Sequence, residues 1–329
     1  MIKHRTWISQ LGRVACGLFC LLNFTLRSGA AELPIQITPA EGKFVVDAGG
    51  QPFCEIDYKT YAKPIVYPIY GPGQVPMTRN NPMKEVDGES NDHPHHKSMW
   101  VAHGDVNGVS FWDEKGKILN EKAELVELGN GQQAIQLQDK LIDPQGNVVC
   151  TETVTYVFSA NEQARSIDWQ VTYHAGEQPL VFGDTKEGMA ALRVHPNLRL
   201  SNDAKRGVTT AAGHSTNSEG VENAAVWGKR AKWVNYDGTI NDQPVGIAFF
   251  DNPQNHGHPT YWHARDYGLF AANPFGASQF AGNGANGQHE VAAGQDFTMK
   301  YRVIFHRGNA EQYGVAAKYA EYEAAAKTE

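Results

Sequence analysis

A chain of 329 residues with 29 basic and 36 acidic side chains carries a mildly acidic formal charge of −7. No basic run or arginine stripe interrupts it, which argues against nucleic acid as a partner. Its 4 cysteines are too few for a disulfide framework.

Residues 1–31 read as an export signal. Lys3, Arg5 and Arg13 are positive, an apolar stretch covers residues 14–24, and Ser28-Gly29-Ala30-Ala31 offers a small-residue cleavage site. That stretch is shorter than the roughly 20 residues needed to span a bilayer. A retained anchor is the competing reading. Cys16 and Cys20 lie here without a lipoprotein-type context. No later stretch is apolar enough to span a membrane, so residues 32–329 are expected as one soluble domain, periplasmic or extracellular. Within it Cys54 and Cys150 either pair, as export permits, or stay as buried free thiols.

Strand signals dominate the domain. Residues 43–47, 53–58 and 65–69 are short apolar runs bounded by Gly or Pro. Two longer strands between residues 133 and 158 flank the turn Asp143-Pro-Gln-Gly-Asn147. Residues 166–174 alternate through Ile167, Trp169, Val171 and Tyr173; residues 297–306 alternate through Phe297, Met299, Tyr301, Val303 and Phe305. Residues 276–288, rich in Gly, Asn and Ala, read as a surface loop. The one convincing helix is Ala-rich, residues 310–327, with Asn309 as N-cap. The expected class is mostly β: a large antiparallel β-sandwich with one C-terminal helix.

The densest chemical signal is the segment 91–112, Asn91-Asp-His-Pro-His-His-Lys-Ser-Met-Trp-Val-Ala-His-Gly-Asp-Val-Asn-Gly-Val-Ser-Phe-Trp112. Asn107-Gly108 favours a two-residue type I′ hairpin turn. The implied register sets Val106 opposite Val109, Asp105 opposite Ser110, Gly104 opposite Phe111 and His103 opposite Trp112. One face then carries Trp100, Ala102, Val106, Val109 and Phe111 toward the core. The other carries Val101, His103, Asp105, Ser110 and Trp112, a wet face with a flat apolar platform and directed polar groups.

His93, His95 and His96 surround Pro94 just upstream. With His103 they are enough imidazoles for a metal site, although their spacing matches no strong zinc signature; acid–base or hydrogen-bonding work is the alternative. Three other places are candidates for the same surface. The stretch 186–195 supplies Glu187, Arg193 and His195, and 255–267 supplies Trp262 and His263 among clustered Gly, Pro and aromatics. His306 ends the last alternating run on its non-core face.

Together these segments resemble the PmoA-like family, whose domain has no established function. The matching stretches are Lys63-Pro-Ile-Val-Tyr-Pro-Ile-Tyr-Gly-Pro72, Asp92-His-Pro-His-His-Lys, His103-Gly-Asp-Val-Asn-Gly108, Glu187-Gly with Arg193, and Gly228-Lys-Arg-Ala-Lys-Trp-Val-Asn-Tyr-Asp-Gly238. They continue through His258-Pro-Thr-Tyr-Trp-His263, Tyr267-Gly-Leu-Phe and Asn273-Pro-Phe-Gly276. The resemblance implies a sandwich similar to the galactose-mutarotase type and a sugar or sugar derivative as ligand. The mutarotases' catalytic motifs do not map onto this chain residue by residue. The methane monooxygenase subunit sharing the family's label is an integral membrane protein, unlike residues 32–329.

The leading expectation is a carbohydrate-active epimerase, lyase or hydrolase. His96 or His103 would donate a proton, Glu187 would accept one, and His263 would join them. His93, His95, Asp105, Asn107, Arg193 and His306 would bind or orient the ligand, with Trp112 or Trp262 stacked on the sugar ring. No cofactor is assigned, with a metal at His93, His95, His96 and His103 left open. The alternatives are a non-catalytic glycan-binding protein and a copper or iron oxygenase.

Overall fold

Alternating apolar residues set most strands, and the computed structural model describes Met1 and residues 31–129, 131–282 and 284–327. The export segment therefore lies almost wholly outside the described residues. The chain begins with β1 (Ile35–Ala40), β2 (Lys43–Ala48), β3 (Gln51–Asp57), β4 (Ile65–Ile69) and β5 (Met99–Val101). Four long strands follow: β6 (Lys117–Glu127), β7 (Gln133–Ile142), β8 (Val148–Ala160) and β9 (Ala164–His174). Then come β10 (Leu180–Phe182), β11 (Ala190–Arg193), β12 (His214–Asn217), β13 (Trp233–Ile240) and β14 (Gln243–Asp251). The last are β15 (Tyr261–Ala264), β16 (Leu269–Asn273), β17 (His289–Val291) and β18 (Asp296–Arg307).

Two eight-stranded antiparallel sheets result. The first has the order β1-β2-β3-β4-β5-β11-β16-β15, the second β12-β13-β14-β18-β9-β8-β7-β6, and β10 pairs separately with β17. The expected β-sandwich class is what the chain adopts. Ile167, Trp169, Val171 and Tyr173 of β9 and Met299, Tyr301, Val303 and Phe305 of β18 are all buried. The two sheets meet where Phe249 lies 5.3 Å from Trp262 and 5.6 Å from Phe270. Burying each such ring stabilises the sandwich by about 1.5–3 kcal/mol.

The turn between β7 and β8 is the expected one. Asp143 Oδ1 accepts the amides of Gln145 and Asn147 at 2.9 and 2.8 Å, with Gly146 at φ 90°. The C-terminal helix departs from expectation. Asn309 and Gln312 form a reciprocal capping box, but Gly314 at φ 77° ends α1 (Ala310–Tyr313) and starts α2 (Val315–Ala326). Val315, Tyr319 and Tyr322 cover Trp233, Phe250 and Ile304 on the second sheet's outer face. Cys54 and Cys150 are buried free thiols. Among the described residues no helix is long and apolar enough to cross a membrane.

Candidate functional site

Cross-strand partners share a face of a sheet and consecutive residues alternate. In the first sheet Val101, Ala190, Ala272 and Trp262 form one register row, and Trp262 turns it toward the second sheet. The next row, Trp100, Ala191, Ala271 and His263, faces the other way. The two alanines leave a shallow floor between Trp100 and His263, which stand about 14 Å apart at ~4.8 Å per strand. Arg193, two residues beyond Ala191, rises from the same face.

Three loops roof this floor. The first lays His96 on Trp100, ring centres 5.2 Å apart. The second brings the Lys186 carbonyl to His263 Nδ1 at 2.9 Å. The third sets Tyr267 against the Arg193 guanidinium at 4.7 Å.

The aromatic rings form an offset ladder running outward from the sheet. Trp100 stacks on His96, His96 on His93 at 4.8 Å and 6°, and His93 on Tyr267 at 5.0 Å and 8°. His96 is buried, and burial, with Arg193 beside it, holds its pKa well below the usual imidazole value. Arg193 Nη1 donates to His96 Nδ1 at 3.1 Å, which fixes that nitrogen as the unprotonated one. His93, its side chain 40% exposed, is the solvent-reaching imidazole, held between His96 and Tyr267. Its backbone takes φ 46°, a left-handed conformation uncommon outside glycine.

Asp92 anchors the ladder. It accepts from His93 Nδ1 at 2.8 Å, Arg79 Nη1 at 2.7 Å, Ser90 Oγ at 2.7 Å and Arg193 Nη2 at 2.7 and 3.0 Å. Those hydrogen bonds and charges outweigh its partial burial and keep the carboxyl far below the usual range. His93 Nδ1 therefore donates to a fixed anion, and among the described residues its Nε2 makes no hydrogen bond. His95 approaches Asp113 at 3.7 Å, and burial depresses its pKa to about 4.

Glu187 is half-buried and ion-paired with Lys186. Its charge is felt by the Tyr267 phenol, whose pKa is pushed up to about 12, mainly by burial. His263 is buried, and that lowers its pKa to about 3 despite the bond to the Lys186 carbonyl. Arg265 lies over the Tyr267 ring at 5.5 Å. Thus His93, His96, Glu187, Arg193 and His263 share one neighbourhood centred on Tyr267.

The hairpin corrects the wet face expected of residues 101–112. Val106 and Val109 do pair, and Asn107 and Gly108 take φ 49° and 82° as a type I′ turn requires. Beyond that pair the ladder stops, because the Phe111 and Trp112 amides both donate to the His103 carbonyl, at 3.0 and 3.1 Å. Val101, His103 and Trp112 are consequently buried. His103 Nε2 donates to the Gly183 carbonyl at 2.8 Å, with Phe275 and Phe182 against its ring at 5.0 and 5.9 Å. Burial lowers its pKa to about 4.

Asp105 faces the turn itself, whereas Asn107 reaches across to the segment 179–181. Asp105 Oδ1 accepts the Gly108 amide at 2.8 Å, and Asn107 Oδ1 accepts the Val181 amide at 2.6 Å.

Neither tryptophan expected as a stacking platform is open. Trp112 packs on Trp100 at 5.2 Å, and Trp262 donates to the Ala231 carbonyl at 2.9 Å inside the core. His306 lies on the second sheet, buried, with Nε2 2.8 Å from Asn235 Oδ1 and Tyr313 stacked at 4.4 Å. It does not join the cluster. His195 caps the turn Pro196–Leu198 and is half-buried, and its partial burial lowers its pKa to about 4.

Among the described residues no three His, Cys, Asp or Glu side chains are grouped as metal ligands. His93, His95 and His96 meet ring to ring, and His103 stands apart from them. Sequence reasoning missed Asp92, Lys186, Arg265 and Tyr267 as site residues. It also missed Lys63, buried below His95, which donates to the His95 carbonyl at 3.0 Å and to Glu114 at 2.7 Å. All stood in segments already singled out, but only tertiary contacts give them roles. Two clefts of about 870 and 570 Å3 open elsewhere, on the second sheet, where Arg302 is neutralised by Asp168 at 2.6 Å.

The family of unknown function DUF6807 matches residues 43–320. No curated protein sequence matches the chain. Among solved structures, a galactose mutarotase-like protein from Lactobacillus casei aligns over 83% of this chain and 100% of its own, at 8% identity and TM-score 0.38. A galactose mutarotase-like protein from Clostridium acetobutylicum aligns over 84% and 99%, at 8% identity and TM-score 0.37. The α-galactosidase from Lactobacillus brevis aligns over 85% of this chain and 40% of its own, at 10% identity and TM-score 0.35. The chain thus spans about two fifths of that enzyme's length. At such TM-scores these likenesses carry no argument about the site.

Proposed function

We propose that this chain, which belongs to the family of unknown function DUF6807, is an exported carbohydrate-active enzyme whose proton-transferring group is the Asp92–His93 pair. The observation that carries the reading is this anchored pair in the outer part of the ring ladder, where the His93 side chain is 40% exposed. A carboxylate locked as an anion by Arg79 and Arg193 orients one imidazole nitrogen and leaves the other to exchange a proton with a ligand. Glu187, whose charge reaches the Tyr267 phenol, supplies the second carboxylate-type group that epimerisation, elimination or glycoside hydrolysis requires. Half-buried Tyr267 and Trp227 lie beside Arg265, and Phe280 with Tyr261 beside His263, a set of rings suited to the apolar face of a sugar.

In this reading His96 and His103 position the site rather than touch the ligand, because both are buried and held neutral. The narrower PmoA-like assignment is part of the proposal. It is supported by the fact that every stretch carrying that resemblance falls within the matched span 43–320.

The test is turnover of a panel of mono- and oligosaccharides by the wild type, His93→Gln and Glu187→Gln. Loss of about 10²-fold or more in kcat for each variant is expected. Binding without turnover by the wild type would replace this reading with glycan binding, and undiminished turnover by His93→Gln would refute the acid–base assignment.

A further inference from the structure

Arg265 is held on this surface without a counter-charge. Among the described residues no carboxylate or hydrogen-bond acceptor meets its guanidinium, which lies 5.8 Å over the Trp227 ring and 5.5 Å over the Tyr267 ring. Other cations of this region do meet carboxylates, except buried Arg199, whose guanidinium donates to Ser90 Oγ at 3.2 Å. Lys186 pairs with Glu187, Arg193 with Asp92, and Arg206 with Asp203. Asp266, next in sequence, turns away to accept from Ser201 Oγ at 3.0 Å. A tight turn, closed by the Gly268 amide on the Arg265 carbonyl at 2.9 Å, fixes Arg265 and Tyr267 together.

The ground beneath is also positive, since Arg79 and Arg193 are both buried and share the single carboxylate of Asp92. A guanidinium flanked by two rings is oriented without being neutralised, and its planar fork matches a carboxylate with two parallel hydrogen bonds.

We infer that Arg265 receives the carboxylate of an acidic sugar, so that the ligand of this site is a uronic acid or a glycan ending in one. The inference rests on the sugar-directed reading of the Asp92–His93 surface and names its substrate class. A uronate carboxylate on Arg265 would place the sugar ring at the edge of Tyr267, whose faces already meet His93 and the guanidinium groups of Arg193 and Arg265.

Calorimetric titration of the intact protein with D-glucuronate, D-galacturonate, D-glucose and D-galactose tests it. Each uronate is expected to bind about tenfold or more tightly than its neutral counterpart. Arg265→Gln should remove that preference, while Arg265→Lys, which keeps the charge and loses the fork, should keep part of it. Melting temperatures of both variants identify a folding defect, and the Lys variant then carries the comparison. A wild type that binds no uronate, or binds it no better than the neutral sugar, overturns the inference. So does an Arg265→Gln protein that is folded and keeps the preference, or binding of glucose 6-phosphate in place of glucuronate. Because the readout is binding, its failure is separable from that of the acid–base reading. His93→Gln should lose turnover while keeping its preference for uronates.

Discussion

Asp92 accepts a hydrogen bond from His93 Nδ1 at 2.8 Å while its other contacts bind it to two buried arginines. The two residues are neighbours in sequence but have opposite standing in the fold. Removing the Asp92 charge leaves Arg79 and Arg193 buried without their shared anion, so Asp92→Asn should destabilise the protein by about 3–5 kcal/mol. His93 reaches solvent and gives its nitrogen to the ligand side, so His93→Gln should cost about 1 kcal/mol or less. Urea denaturation of both variants checks this. Similar losses would mean that His93 is as structural as Asp92. The depressed Asp92 pKa has a definite sign. Its stabilisation is in place above the unfolded carboxyl pKa of about 4 and is lost as pH falls toward its lower folded value.

Asp139 carries the opposite sign. It is the register partner of Glu152, and both side chains are buried between the sheets, with Asp139 Oδ2 and Glu152 Oε2 lacking hydrogen-bond partners among the described residues. Burial, with the charge of Glu121 adding to it, pushes the Asp139 pKa up to about 7, and burial together with the Asp139 charge pushes Glu152 upward as well. The folded chain therefore holds a proton that the unfolded chain releases near pH 4. Stability contributed this way is fully present below pH 4 and declines as pH rises to about 7. Asp139→Asn, which cannot ionise and keeps the shape, should raise stability at pH 8 on the order of 2 kcal/mol, with the gain vanishing by pH 4. Melting curves across that range measure it, and a gain independent of pH would contradict the titration.

The sandwich was legible because its long strands obey a simple period. β9 and β18 bury the residues that alternation assigns to one face. The Asn107-Gly108 turn was legible for the same local reason, since its φ values are a property of two residues. What lay beyond was not local. Whether His103 and Trp112 face water depends on Phe182, Phe275 and Trp100, which arrive from other parts of the chain. Asp92 looked like an ordinary loop carboxylate until Arg79 and Arg193 converged on it. Gly314 was readable as a helix break, but the surrounding alanines hid its left-handed φ.

His103 and Gly188 provide the most direct test of how tightly the buried half of the motif is held. A Cβ added at Gly188 would stand 2.3 Å from His103 Nδ1, a contact that real side chains do not make. The ring has little room to yield, because Nε2 is bound to Gly183 and its faces meet Phe182 and Phe275. Gly188→Ala should therefore destabilise the protein by about 1–3 kcal/mol through overpacking. His103→Ala alone should cost about 2–4 kcal/mol, by leaving a cavity. In the double variant the added methyl occupies space that the ring has vacated, so the combined loss should fall short of the sum by about 1 kcal/mol or more. Urea titrations of the three proteins give that coupling energy. Simple additivity would show that Gly188 relaxes by moving its own backbone rather than by displacing the His103 ring.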